Sequence, residues 1–424
     1  MKRKFQVLVG LTVVVLVALW LVGCDHYVCS SGATFGNSSC TASGSGLGTN
    51  TGGVGNSLAF AVDQQGTVDG FTLNTSASTF GLISNFSAPT IPQLDFGVGM
   101  VAAQKKFLYA GFGSSTPKEL FGWSINSSTG ALTPVSGSPY ATPALGSVAA
   151  TGFPQQSMIT NPAGTLLFIA EASTDSIAIY QINGDGSLTA QAAFSTFPFQ
   201  PVNMTTDGLG KYLYVTDVIS SHEGTGGIAA YSIGSSGALT PVAGSPFVLT
   251  TPMWQLQGEA SGKYLVGTSG KTAALPGGTD DDNLYVFSIN QSTGALTLNG
   301  TTPTQNSPFG IAVSPVATNG GTFVYSFSVN DTGTGFNPIE GYSLSSTGAL
   351  TSVGVFSNVQ LGEWGQFDQS GTTLLDYAEI QNLGTGTITT QLGAFSVVSS
   401  GAITQIGSPV TLGTPGYWVV TDTH

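Results

Sequence analysis

Charge is the scarcest commodity in this chain. Asp, Glu, Lys and Arg together make up 7% of its 424 residues, against about 25% in an ordinary soluble domain. Arg3 is the only arginine, and it lies in the first few residues. Without a basic stripe to displace counterions, nucleic acid is excluded as a partner. Phosphorylated and carboxylate ligands are disfavoured too, because their bidentate recognition relies on arginine. Histidine is nearly as rare: His26, His222 and His424 are the full set. Three cysteines in scattered positions form no metal-binding cluster, and no Gly-rich phosphate loop stands between a strand and a helix. No segment with helical hydrophobic period occurs after residue 57.

What the chain has in abundance is repetition. A tag, Gly-Ala-Leu-Thr, stands at 130–133, 237–240, 294–297 and 348–351, with the variants Gly186-Ser187-Leu188-Thr189 and Gly401-Ala402-Ile403-Thr404. Successive tags lie 51 to 57 residues apart, a period that marks one supersecondary unit used many times. Each unit opens with a weak strand, as in Ser157–Thr160, Val202–Thr206 and Gly310–Ser314, closed by a turn such as Asn161-Pro162-Ala163-Gly164. A strong apolar run follows: Leu58–Asp63, Phe107–Phe112, Leu166–Glu171, Tyr212–Asp217, Tyr264–Ser269, Phe323–Ser328 and Leu374–Glu379. A second run comes next, as in Phe121–Ile125, Ile177–Ile182, Leu284–Ile289 and Leu392–Val397, and then the tagged strand. The runs are β-branched and aromatic, bounded by Gly, Pro, Asn and Ser. The pattern predicts an all-β protein, a seven-bladed β-propeller of four-stranded antiparallel blades buried on both faces. The chain enters at a strong strand, and the orphan Pro415–Asp422 matches the weak strand of other units. It is therefore expected to complete blade one and close the ring; an unfinished eighth blade is the competing reading.

Ahead of the repeats, residues 1–23 combine a basic start with the apolar Phe5–Val22 and end in Leu21-Val22-Gly23-Cys24. This reads as a lipoprotein signal peptide with lipidation on Cys24, which would fix the chain to a membrane through lipid on the bacterial envelope. An uncleaved membrane anchor is the alternative. Residues 24–56, rich in Gly, Ser and Thr, read as a flexible tether before the 57–424 propeller. Cys29 and Cys40 pair in an exported chain or stay free in that tether. From Cys24 onward there are six lysines and 22 acidic residues, a formal charge of −16, and the chain is expected to be a monomer.

The connections between the two strong strands lengthen in blades four to seven, to 218–227, 270–283, 329–338 and 380–391, and all are expected on one face. Binding residues favour such variable loops. Asp63, Glu171, Asp217 and Glu379 are read as sharing one repeat position at this rim. His222, Glu223, Asp280, Asp281, Asp282, Asp331 and Glu340 add to it. Asp63, Glu379, His222 and Glu223 are the candidate ligand-binding residues, and Glu171 and Asp217 the candidate general bases. Asp280, Asp281 and Asp282, carboxylates in a Gly-rich loop, offer oxygen ligands for Ca²⁺, or serve only to solubilise a charge-poor surface. No cofactor is otherwise required. Trp254, Trp364 and Trp418 lie on weak strands, either as a stacking platform for a sugar or as wedges between blades.

The blade signature Lys211-Tyr212-Leu213-Tyr214-Val215-Thr216-Asp217, followed by Ala230-Tyr231-Ser232-Ile233 and Gly237-Ala238-Leu239-Thr240-Pro241-Val242, resembles the lactonase-type seven-bladed propellers. These include the 6-phosphogluconolactonase-like and YVTN-repeat proteins, and the likeness covers about residues 57–424. The resemblance implies hydrolysis of sugar lactones by His-rich innermost strands with an arginine near the channel. Here that place reads Pro154-Gln155-Gln156-Ser157, without histidine, while Glu171 keeps the acidic position. Two functions stay open: an envelope propeller that binds a glycan, peptide or envelope protein through its acidic long-loop face, and a hydrolase of neutral sugar lactones.

Overall fold

The structure, a computed structural model, describes residues 57–62, 67–84, 86–87, 89, 98–112, 119–141, 157–171, 174–216, 227–249, 251, 253–269, 282–316, 321–328, 338–356, 364–382, 388–412 and 418–422. Three short strands precede them at Tyr27–Cys29, Thr34–Phe35 and Ser38–Ser39. Seven small antiparallel sheets follow one another along the chain. Blade four is representative: Asn203–Thr206 pairs with Tyr212–Thr216, which pairs with Gly227–Ile233, which pairs with Leu239–Pro241. The chain is an all-β, seven-bladed propeller. The backbone of Trp418–Asp422 pairs antiparallel with that of Ser57–Val62. Tyr27–Cys29, within the expected tether, pairs parallel with Ile380–Asn382. Among the described residues no helix is long and apolar enough to cross a membrane; the apolar Phe5–Val22 lies outside them.

Second strands are the core of each blade. Leu166–Glu171 and Tyr212–Thr216 are buried along their whole length, and alternate side chains reach opposite neighbours. Seven buried apolar clusters result, one at each seam. Leu58, Phe60 and Val62 of blade one meet Met100, Leu108 and Trp123 of blade two. At the last seam, Leu375, Leu392 and Ala394 of blade seven meet Ala59, Ala61 and Phe71 of blade one. Full burial of each such aromatic or aliphatic side chain is worth roughly 1.5–3 kcal/mol. The outermost strands break the expectation of burial on both faces. Leu296–Pro303 is exposed along most of its length, since it has a neighbour on only one edge and lies where the wedge is widest.

The tag has a geometric cause. Its glycine has a positive φ, 77° at Gly294 and 80° at Gly401, which L side chains rarely adopt. It also presses on the preceding blade: a Cβ on Gly294 would fall within 2.4 Å of the Tyr212 ring. At three of the six tags, Gly186, Gly294 and Gly401, the glycine carbonyl then receives a hydroxyl from that blade. Tyr109 donates to Gly186 O at 2.7 Å, Tyr214 to Gly294 O at 3.0 Å, and Tyr325 to Gly401 O at 2.9 Å.

Innermost strands pair on one edge only, and neighbouring side chains satisfy part of the other. Asn203 Nδ2 donates to Trp254 O at 2.6 Å, and Thr205 Oγ1 accepts from Gly258 N at 3.1 Å. Gln255 Oε1 accepts from Ile311 N at 2.6 Å, and Gln257 Oε1 from Val313 N at 2.7 Å. Replacing Gln255, which is fully buried, by Ala leaves the Ile311 N–H without that acceptor. A loss of about 1–3 kcal/mol is expected, read as a lower midpoint in denaturant titration.

Candidate functional site

Of the rim carboxylates, Glu171 is the one whose side chain the structure describes at the shared repeat position. It closes the second strand of blade three, paired with Ser176 across a short hairpin. It is 2% exposed. Its Oε2 accepts the Ser176 hydroxyl at 2.7 Å and lies 3.4 Å from Thr174 Oγ1, while those two hydroxyls are 2.8 Å apart. Burial, and secondarily the Glu171 charge, pushes the Tyr180 phenol up to about 12. The arrangement is a carboxylate held by its own hairpin.

Asp63, Asp217, His222, Glu223, Asp280 and Asp281 lie outside the described residues, as do Asp331 and Cys24. Asp282 is exposed just before the strand Asn283–Ile289, and its carbonyl accepts from Thr304 N at 2.8 Å. Among the described residues no group of three or more His, Cys, Asp or Glu side chains is placed to hold a metal ion.

The ladders move Glu379. Thr160 faces Leu167, Thr206 faces Leu213 and Phe367 faces Leu374. Counting on from these pairs puts Ala378, not Glu379, level with Glu171 and Asp217. The apolar run of blade seven begins one register step later than in the other blades, and the sequence reading slipped with it. Nor is the connection in blade seven long. Its strands run Thr373–Asn382 and Ile388–Val397, leaving 383–387 between them, and the Glu379 backbone pairs with Thr390 inside the sheet.

Glu340 is likewise no rim residue. It is buried in the third strand of blade six, accepting from Gln305 N at 2.9 Å, Asn306 N at 3.3 Å and the Tyr342 hydroxyl at 2.8 Å. Trp254 and Trp364 are also buried. They flank Phe309, with ring centroids 5.4 Å and 6.2 Å from it. Both act as packing between blades. Trp254 precedes its ladder by one step relative to Trp364, because Gln255 pairs with Thr268 as Trp364 pairs with Tyr377. The side chain of Trp418 lies outside the described residues.

The carboxylates missed by the sequence reading sit on the opposite face, in the turns after the innermost strands. Asp207 Oδ1 accepts from Lys211 N at 2.7 Å and Tyr212 N at 2.8 Å. Asp368 Oδ1 accepts from Thr372 N and Thr373 N, each at 3.0 Å. Glu259 Oε1 accepts from Lys263 N at 2.7 Å and Tyr264 N at 3.2 Å. Asn161 plays the same part in blade three, toward Thr165 N and Leu166 N. Burial pushes Asp207 and Asp368 above the usual carboxylate range, and the backbone donors hold them back. The signal was present: an Asp, Glu or Asn, with Gly three residues on and Lys or Thr after it. These acids accept from the backbone of their own turns.

Comparison with known proteins places the fold. No family model matches the chain, and no curated protein matches it significantly. Solved structures do. A protein from Lactobacillus plantarum superposes with a TM-score of 0.58 at 16% identity, over 88% of this chain and 100% of its own. A provisionally identified 6-phosphogluconolactonase from Bacteroides uniformis gives 0.59 at 15%, over 86% and 99%. The periplasmic gluconolactonase PpgL of Pseudomonas aeruginosa gives 0.57 at 14%, over 86% and 99%. The chain is therefore a seven-bladed β-propeller similar in structure to lactonase-family proteins, at identities that carry the fold alone.

Asn161 shows that a neutral amide suffices in the turn clamp. Asp207→Asn is accordingly expected to shift unfolding by less than about 1 kcal/mol, and Asp207→Ala to cost about 1–3 kcal/mol by stranding two backbone donors. Urea titration of both variants distinguishes these outcomes.

Proposed function

We propose that this chain is an envelope-anchored β-propeller acting as a binding or interaction module through the face that carries the second-to-third-strand connections. The observation behind this reading is the state of Glu171. The carboxylate most suited to act as a base is 2% exposed and engaged by Ser176. The sequence around Pro154-Gln155-Gln156-Ser157 provides neither histidine nor arginine for a lactone. The partner is a glycan, a peptide or an envelope protein, and the charge of the chain excludes nucleic acid. Lipid on Cys24 holds the monomer to a membrane, and the C-terminal strand closes the ring on blade one; the backbone ladder of Trp418–Asp422 on Ser57–Val62 supports that closure.

The likeness to a periplasmic gluconolactonase favours a second reading, hydrolysis of neutral sugar lactones with Glu171 or Asp217 as base. Hydrolysis of gluconolactone and of 6-phosphogluconolactone by the purified chain separates the two. The binding reading expects rates equal to the spontaneous reaction, unchanged in Glu171→Gln. Turnover that this substitution abolishes would establish the hydrolase. A Ca²⁺ ion on Asp280–Asp282 is the accompanying metal proposal, and calorimetric titration showing no heat at millimolar Ca²⁺ would remove it.

A further inference from the structure

Asp376 is the most isolated acid among the described residues. It occupies the middle of the second strand of blade seven, opposite Gly365 on one side and Gly393 on the other. It is 1% exposed. Leu374, two residues earlier and so on the same face of the strand, packs with Ala312, Tyr325, Phe327 and Ile339 of blade six. Asp376 therefore points into the seam between blades six and seven. The seam is tight there: Phe327 lies so close over Gly365 that a side chain at that glycine would clash with its ring. Neither carboxyl oxygen makes a hydrogen bond of ordinary geometry, and the Trp364 N–H is the one donor that acts on the carboxyl.

The matching register positions of the other blades hold Ala61, Ala110, Ile169, Val215, Gly267 and Ser326. An acid is thus no requirement of the blade, and its placement here carries a cost in the ionised form.

We propose that Asp376 makes the seam between blades six and seven a pH-sensitive joint, closed while the carboxyl is neutral and loosened when it ionises. Desolvation holds the carboxyl well above its ordinary range, opposed only by the Trp364 N–H. Titratable groups on the facing strands of blade six are few. Tyr325 donates its hydroxyl away, to Gly401 O, and burial raises its pKa. Glu340 and Tyr342 bond each other, and Tyr342 packs in the seam with blade five. On blade seven, the described innermost segment Trp364–Phe367 and the third strand Ile388–Val397 carry no charged residue, and Asp368 is tied into its turn.

The sign follows from linkage. A carboxyl with a raised folded pKa gives stability below its ordinary value near 4, and that stability is lost as pH climbs toward the raised value. Through that window the opening equilibrium of the seam grows about tenfold per pH unit.

Hydrogen exchange of the full chain from pH 5 to 9, corrected for intrinsic rates, reads this directly. Protection of amides in Trp364–Phe367 and Ile311–Val313 is expected to fall with pH in the wild type and to stay flat in Asp376→Asn and Asp376→Val. The valine copies Val215 of blade four and so fits the blade geometry. Amides of Leu166–Ala170 in blade three serve as the distant control and should show no such slope. Parallel pH profiles in wild type and variants would overturn the proposal. So would a slope of equal size in blade three, which would make the effect global rather than a property of this joint.

Discussion

The close contact of each tag glycine with the blade before it is the constraint on which the architecture depends. A propeller blade buries almost nothing alone, so its stability lies in the seams. At Gly294 and Gly401 the main chain turns with a positive φ and touches an aromatic ring of the preceding blade. The carbonyl at that spot takes the Tyr214 or Tyr325 hydroxyl. A larger residue would strain the turn and push the blades apart together. This double requirement explains why the tag is the most regular string in the sequence, while the strands it joins vary freely among aliphatic and aromatic side chains.

The fold was legible because seam packing imposes a period on composition. Apolar runs at 166–171 and 323–328 coincide with the second strands Leu166–Glu171 and Thr322–Ser328. Fine register was less legible. In blade seven, Thr373 takes the place that Tyr212 holds in blade four, so an apolar run cannot reveal where the ladder starts; the turn clamp of Asp368 does. Burial across the sheet was misjudged at the outer edge, because the tagged strand contributes Leu or Ile on one face and Thr on the other.

The acids were harder to read, for a physical reason. A carboxylate that accepts backbone N–H groups and one that accepts a ligand look alike in sequence; only the partner tells them apart. Glu340, Asp207, Glu259 and Asp368 all have backbone donors. Glu171 is held by hydroxyls of its own hairpin. Each of these five carboxylates is thus engaged by backbone or hydroxyl donors of the chain itself.

The cross-seam hydrogen bonds share a direction. Asn203, Thr205 and Tyr214 of blade four act on the backbone of blade five; Gln255, Gln257 and Tyr264 of blade five act on blade six. Blades four and five thus each carry hooks for the blade that follows, like links threaded one way round. A duplicate of blade five placed beside it would arrive with these fittings in place, so this local bonding sets no limit on the number of links. The count of seven belongs to the wedge angle at which the filled seams close, and a ring of this kind can gain or lose a member by recombination without inventing a new interface.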